Sequence, residues 1–301
     1  MKPIKFKADD AVMVAEKISG MLKKKYLDAN EYVSTGLHYF AVPKGETDIR
    51  VVFDGTSSGL NESLWAPNFF LPTARDALLL LSFSAFMADV DFGEMFHNFF
   101  MDPSVRKHAG VEMRPLRKHI QGNHGLDPKG DKPASSFVRW NRLFMGMRPS
   151  PYNAVRYYYW GEEFARGDRS TPTNPMGYDE IRLNLPGMSE YDPTLPKVMK
   201  WSTLTNTIAA DVITFVNDGR VTGSSKESCH RAHRQFSSRI QYFGMQDAPQ
   251  KFMPPSQTNA GAWTGTVFKV TPSSTVKTVT TEKWNKGKSL IRSLVVASQS
   301  E

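Results

Sequence analysis

The chain has 301 residues and a formal net charge of +8, with 40% hydrophobic and 23% charged residues, proportions that exclude wholesale disorder and allow one large domain or two smaller ones. A single cysteine, Cys229, excludes an internal disulfide, and no secretory or spanning apolar run is present, so an intracellular protein of the cytoplasm or nucleus with no membrane partner is expected. The positive excess points to a polyanion, nucleic acid first.

In chain order, Val12, Val14, Ile18, Met21 and Leu22 predict a helix over residues 10–26, with Lys23, Lys24 and Lys25 favourable at its C-terminal end. Residues 38–43 and 49–55 read as a hairpin turning at 44–48. Arg50, opening an apolar strand, is either a strand-edge charge or a planar ligand for phosphate. Thr73 to Asp76 has capping-box form and starts a short helix. Residues 84–90 then read as an apolar strand, with Asp89 and Asp91 on one face and Val90 and Phe92 on the other. Carboxylates at the end of such a strand need a partner or a metal. Residues 93–100 resume as a short helix or turn, and 102–133 read as connecting structure with a brief strand near 111–114.

Ser150 followed by Pro151 predicts an N-cap and first helical position, for a helix reaching about Arg166 and ended by Gly167. Tyr157, Tyr158 and Tyr159 cannot share one face of that helix, which leaves base stacking and core burial both open. Residues 168–195 read as an inserted surface loop and 198–210 as a short helical pattern. The stretch 211–224, DVITFVNDGRVTGS, reads as two extended runs around an Asn217-Asp218-Gly219 tip, a β-hairpin with polar residues at its turn. A carboxylate there is rigidly placed and exposed, which suits a metal site and equally suits a simple turn.

Ser224 to Glu227 reads as a capping box opening a helix to Phe243, with Cys229, Ala232, Phe236, Ile240 and Phe243 as its buried stripe. Cys229 and His233 are half a metal site or, with nothing else convergent, a core cysteine beside an exposed histidine. A loop at 244–256 carries Lys251, residues 263–270 read as a last strand, and 282–296 as a basic helix.

A basic hairpin, an acid-ended strand, a Gly/Ser-Pro helix start and an acid-tipped hairpin thus follow one another. Nucleotidyl transfer needs such parts: carboxylates converging from different strands on two metal ions roughly 4 Å apart, and cations facing a triphosphate. On these residues, over about 40–270, the chain resembles the fingers and palm of a retroelement reverse transcriptase. The resemblance implies an α+β fold, a polymerase right hand of fingers and palm with an antiparallel palm sheet backed by helices. Its expected divisions are an N-terminal helical extension at 1–35, fingers at 36–83, palm at 84–270 with a fingers-like segment about 102–140, and the start of a thumb or a tail at 271–301.

The same resemblance implies residue roles. Arg50, and Lys44 beside it, would contact the triphosphate. Asp91 would be the catalytic acid of the first palm motif, with Phe96 at the family's spacing beneath the sugar. Residues 143–151, with Gly146 and Ser150, resemble the template-gripping motif; 244–251, with Lys251, the loop that follows; and 263–270 the primer-gripping hairpin. Phe215-Val216-Asn217-Asp218 matches the aromatic-Val-Asp-Asp tip except that Asn217 replaces its first aspartate. An amide oxygen ligates a hard cation without the charge that holds it firmly, and Asp89 is a candidate substitute. The implied cofactor is Mg²⁺ or Mn²⁺. The implied partners are an RNA template, a DNA primer and dNTP, with other domains of a retrotransposon polyprotein of which this chain is a fragment or a stand-alone descendant. Two readings stay open: an RNA-directed DNA polymerase, or a catalytically dead palm that only binds nucleic acid.

Overall fold

Alternating apolar residues and short turns assemble most of this chain into antiparallel sheets in a computed structural model that describes residues 6–30, 32–45, 47–116, 118–120, 136–246, 248 and 252–298. In chain order the elements begin with α1 (Ala8–Lys23), β1 (Leu27–Asn30), β2 (Gly36–Lys44), β3 (Asp48–Asp54), α2 (Leu60–Ser63), α3 (Ala74–Leu79) and β4 (Phe86–Asp91). A 3-10 turn at Met95–Asn98, α4 (Pro103–Arg106), β5 (Gly110–Glu112), β6 (Phe137–Trp140) and α5 (Ser150–Arg166) follow. Then come β7 (Glu180–Leu183), β8 (Val198–Ser202), β9 (Thr207–Ile208), β10 (Asp211–Phe215) and β11 (Asp218–Gly223). The last elements are α6 (Lys226–Tyr242), β12 (Met253–Ser256), β13 (Ala262–Trp263), β14 (Thr266–Val270), β15 (Thr275–Val279) and α7 (Thr281–Ser298). The class is α+β. Among the described residues no helix is long and apolar enough to cross a membrane.

Two compact units divide the chain, residues 1–69 with 94–157 and residues 70–93 with 158–301. In the first, five strands run in the order β1-β6-β5-β2-β3, with β2 and β5 parallel. The expected hairpin is β2–β3, and its return strand buries Ile49, Val51 and Phe53 while Arg50 faces solvent. The helix α1 adds Val14, Ala15, Ile18 and Leu22 to the same core. Burial of each such side chain contributes about 1.5–3 kcal/mol. Trp140 sits at the centre, edge-on to Phe53 at 4.9 Å and stacked on Phe144 at 5.1 Å and on His97 at 5.3 Å.

The second unit is built on an antiparallel sheet in the order β10-β11-β4-β12, with α6 packed across β11 and β4. Cys229, Ala232, Phe236 and Ile240 are buried as the helical spacing predicts, and burial pushes the Cys229 thiol up to about 12, far from nucleophilic. Phe243, the last of the predicted stripe, is 40% exposed because it lies just past the helix end. His233 is buried rather than exposed: it stands one helical turn after Cys229 on the same side, and Phe252 packs on its ring at 4.5 Å. The cap is also displaced by one residue. Ser225, not Ser224, accepts from the Ser228 amide, which takes Glu227 out of the box position.

Residues 198–210 are not helical. They form β8 and β9, and β8 pairs with β7 out of the segment read as a loop, in a sheet ordered β7-β8-β9. Pairing with the neighbouring strands overrides weak helical spacing here. Lys200 reaches the buried Asp211 carboxylate at 2.7 Å, where Arg166 also binds, tying β8 to the start of β10 and the end of α5. Residues 263–270 likewise form a hairpin, β13–β14, rather than one strand.

Burial depresses the His97 imidazole from 6.5 to about 4, with Lys24 and Arg142 adding to the fall and Glu94 opposing it; its Nδ1 has no hydrogen-bond partner. The unfolded chain therefore binds a proton that the folded chain refuses. The resulting stability is complete above about pH 6.5 and is lost as pH falls toward 4, roughly 3 kcal/mol in all. Urea midpoints measured from pH 7.5 to 4 are expected to fall steeply for the wild type and less steeply for His97→Gln.

Candidate functional site

Strand β4 is apolar through Met87, Ala88 and Val90 and carries Asp89 and Asp91 between and after them. Its antiparallel register with β11 sets Asp218 opposite Asp91 and Arg220 opposite Asp89. Directly opposed residues of a ladder share a face, as do residues two apart along a strand, so these four side chains lie on one face. The other face, with Val90 and Val221, receives α6.

Arg220 is fully buried and donates to both Asp89 oxygens at 2.7 Å, to the Gly261 carbonyl at 3.1 Å, and lies 5.2 Å from the centre of the Phe268 ring. Burial raises the Asp89 carboxyl above its ordinary value, and the Arg220 guanidinium works against that rise. Asp89 is consequently not available as a substitute ligand, contrary to the expectation from strand alternation alone. Gly261 closes over the pair with φ +93°, and a Cβ there would stand 2.7 Å from Asp89 Oδ2. Only glycine meets both demands.

Asp91 and Asp218 are half-buried at the open end of this array. Pairing of Phe215 with Asp218 makes the turn Val216-Asn217, one register step earlier than the Asn217-Asp218-Gly219 tip expected from sequence. The side-chain pattern of polar residues followed by glycine is misleading here, because Asp218 and Gly219 are already in the ladder with β4. Val216 has φ +57°, the sign demanded at the first central position of a type II′ turn but strained for a β-branched residue, at a cost of about 1–3 kcal/mol. The tip is held in place by the Asn217 carbonyl, which accepts from Phe92 N at 3.0 Å, and by the Asp218 carbonyl, which accepts from Trp263 Nε1 at 3.0 Å.

The Asn217 amide nitrogen donates to Asp91 Oδ1 at 3.1 Å and to the Phe92 carbonyl at 3.4 Å. Two acceptors on that side orient the NH₂ toward Asp91, so presenting the amide oxygen to a cation would break both bonds. Two carboxylates from neighbouring strands are hard oxygen donors that suit one divalent cation. Among the described residues no three acids, histidines or cysteines converge. The donor set therefore fits one ion held by Asp91 and Asp218, and lacks the third carboxylate that a pair of ions would use.

The remaining predicted site residues that the structure describes lie in the first unit. Arg50 is exposed on β3 opposite Val42, and Lys44 pairs with Asp48 at 3.4 Å across the hairpin turn. Phe96 is half-buried against the first unit's core. Gly146 has φ +104° and lies so close to the Phe53 carbonyl that no side chain fits. Ser150 does not cap α5: it is the first helical residue, fully buried, and among the described residues its hydroxyl has no hydrogen-bond partner. Lys251 lies outside the described residues. Sequence reasoning missed Asn61, whose amide donates to the Gly146 carbonyl at 3.0 Å and whose oxygen accepts from Arg148 N at 2.8 Å, clamping that turn. It also missed Arg220, although stepping two residues back from Asp91 and two on from Asp218 brings opposite charges face to face.

No protein-family model and no curated protein matches this sequence. Among solved structures, a foamy viral protease–reverse transcriptase determined in complex with double-stranded DNA superposes with a TM-score of 0.61 at 12% identity. The match covers 95% of this chain and 38% of that protein, so the chain spans well under half of its length. The fold is reverse-transcriptase-like. At this identity the likeness is one of fold alone, and the carboxylate pair of β4 and β11 is a property of this chain's own register.

Replacing the Asn217 amide by a carboxylate would exchange a hydrogen bond to Asp91 for like-charge repulsion. Asn217→Asp is expected to melt lower than the wild type in EDTA, by roughly 1–3 kcal/mol of stability, and to recover part of the loss when Mn²⁺ is added. Thermal melts with and without the cation check both halves of this expectation.

Proposed function

We propose that the chain is the fingers and palm of a retrotransposon reverse transcriptase, an RNA-directed DNA polymerase domain whose cation site is one charge short. The observation that carries this reading is the opposition of Asp91 and Asp218 on adjacent strands of a reverse-transcriptase-like fold. Asp91 and Asp218 would hold Mg²⁺ or Mn²⁺, which when bound supplies the Lewis-acid stabilisation of attacking and leaving oxygens. Exposed Arg50 and Lys44 offer cationic groups for the triphosphate of a dNTP, Arg50 as a planar fork. Phe96 would pack against the sugar, and the turn from Gly146 to Ser150, clamped by Asn61, would support an RNA template paired to a DNA primer. The net charge of +8 and the double-stranded DNA in the fold neighbour's complex support a nucleic-acid partner. That neighbour's greater length supports further domains of a polyprotein acting with this one.

A second reading, a palm that binds nucleic acid without synthesis, is favoured by one observation: the Asn217 amide occupies an Asp91 oxygen. Primer extension on an RNA template with Mg²⁺ or Mn²⁺ separates the two. Slow extension by the wild type is expected, faster by at least about tenfold in Asn217→Asp and abolished in Asp91→Ala. Silence in all three with primer–template still bound would establish the binding-only reading. Failure to bind primer–template would overturn both.

A further inference from the structure

The face that carries Asp91 and Asp218 holds a third carboxylate, and the structure neutralises it. Asp89 and Arg220 oppose each other one step along the same ladder, two residues from Asp91 and Asp218 respectively. Arg220 is fully buried, and its guanidinium spans both Asp89 oxygens at 2.7 Å. The Gly261 carbonyl at 3.1 Å and the Phe268 ring close the remaining sides. Nothing in the packing of an apolar sheet requires a charge pair at this position, because two apolar residues of matching volume serve a buried site as well or better. A pair placed one step from two carboxylates has an electrostatic consequence instead. Without Arg220 the face would hold a buried third carboxyl with no cation to offset it, and without Asp89 it would carry a buried cation beside the acids.

We propose that Arg220 is a positioning residue for the cation site: by pairing with Asp89 it withdraws the third carboxylate, so that Asp91 and Asp218 alone set the affinity of the face for a divalent cation. The inference rests on the reading of Asp91 and Asp218 as the cation ligands. Arg220 touches neither. It acts through Asp89 and through the field it shares with Asp218.

The two halves of the pair then have opposite effects on cation binding, whereas a purely structural pair would weaken binding whichever half was removed. Mn²⁺ affinity is measured by electron paramagnetic resonance at pH 8 on the full chain, for wild type, Asp89→Asn, Arg220→Gln, the double variant, Arg220→Lys and the controls Asp91→Ala and Asn217→Asp. Asp89→Asn, which leaves the guanidinium uncompensated, is expected to weaken Mn²⁺ binding by about tenfold. Arg220→Gln is expected to match or exceed the wild type, the double variant to return to the wild-type value, and Arg220→Lys to stay within about twofold of it. The proposal is overturned if Arg220→Gln binds more weakly than the wild type or if the double variant is as weak as Asp89→Asn. Should the single variants not fold, the double variant, which buries no unpaired charge, is compared with the wild type: equal Mn²⁺ affinity is expected, and binding about tenfold weaker overturns the proposal. Mn²⁺ binding no tighter in wild type and Asn217→Asp than in Asp91→Ala would overturn the carboxylate reading of the site, and this inference with it.

Discussion

The antiparallel register between β4 and β11 is the constraint on which the rest of the second unit depends. Side chains alternate with a period of two, so a slip of β11 by one residue along β4 would turn Asp218 and Arg220 toward α6 and Val221 away from it. The apolar packing of α6 on one face and the Asp89–Arg220 pair on the other both oppose that slip. A buried guanidinium accepts few alternative positions, since leaving its carboxylate strands a charge in the core at a cost of about 3–5 kcal/mol. The ion pair thus adds specificity against a shift of two residues, which would keep the apolar face toward α6.

What closes over that pair is equally particular. The loop into β13 brings the Gly261 carbonyl onto Arg220, and Trp263 then reaches the Asp218 carbonyl. One hairpin therefore covers the charge pair and anchors the backbone of a proposed ligand. The strained turn at Val216 is held from the other side by Phe92 N bonding to the Asn217 carbonyl. Strain of this kind persists only where neighbours over-determine the backbone, and it is concentrated at the end of the ladder where the two half-buried carboxylates lie.

In the first unit the same economy appears around Gly146. A positive φ, the Phe53 carbonyl standing where a Cβ would go and an asparagine bonding both sides of the turn leave one backbone path open. The hydrophobic cluster around Trp140 lies directly beneath, through Phe53 and Phe144. A turn fixed in this way is what the proposed support of a template would need, because positioning depends on a backbone with one available path.

Much of this was legible in the chain itself. The hairpin β2–β3, the acid-ended β4, the helices α1, α5 and α6 and the hairpin carrying Asp218 follow from local periodicity and turn residues, and the order of Arg50, Asp91, Gly146 and Asp218 carried the resemblance that the fold neighbour supports as fold. Tertiary structure decided what local patterns leave open. Residues 198–210 became strands because β7, the preceding strand, offered a ladder to pair with. His233 was buried because Phe252 came to cover it. Asp89 meets Arg220 and Asp91 does not, because the β4–β11 register determines which acid stands opposite the guanidinium. Periodicity assigns a side chain to a face, but which charge stands opposite it depends on pairing between segments more than a hundred residues apart, and that is settled by packing the whole sheet.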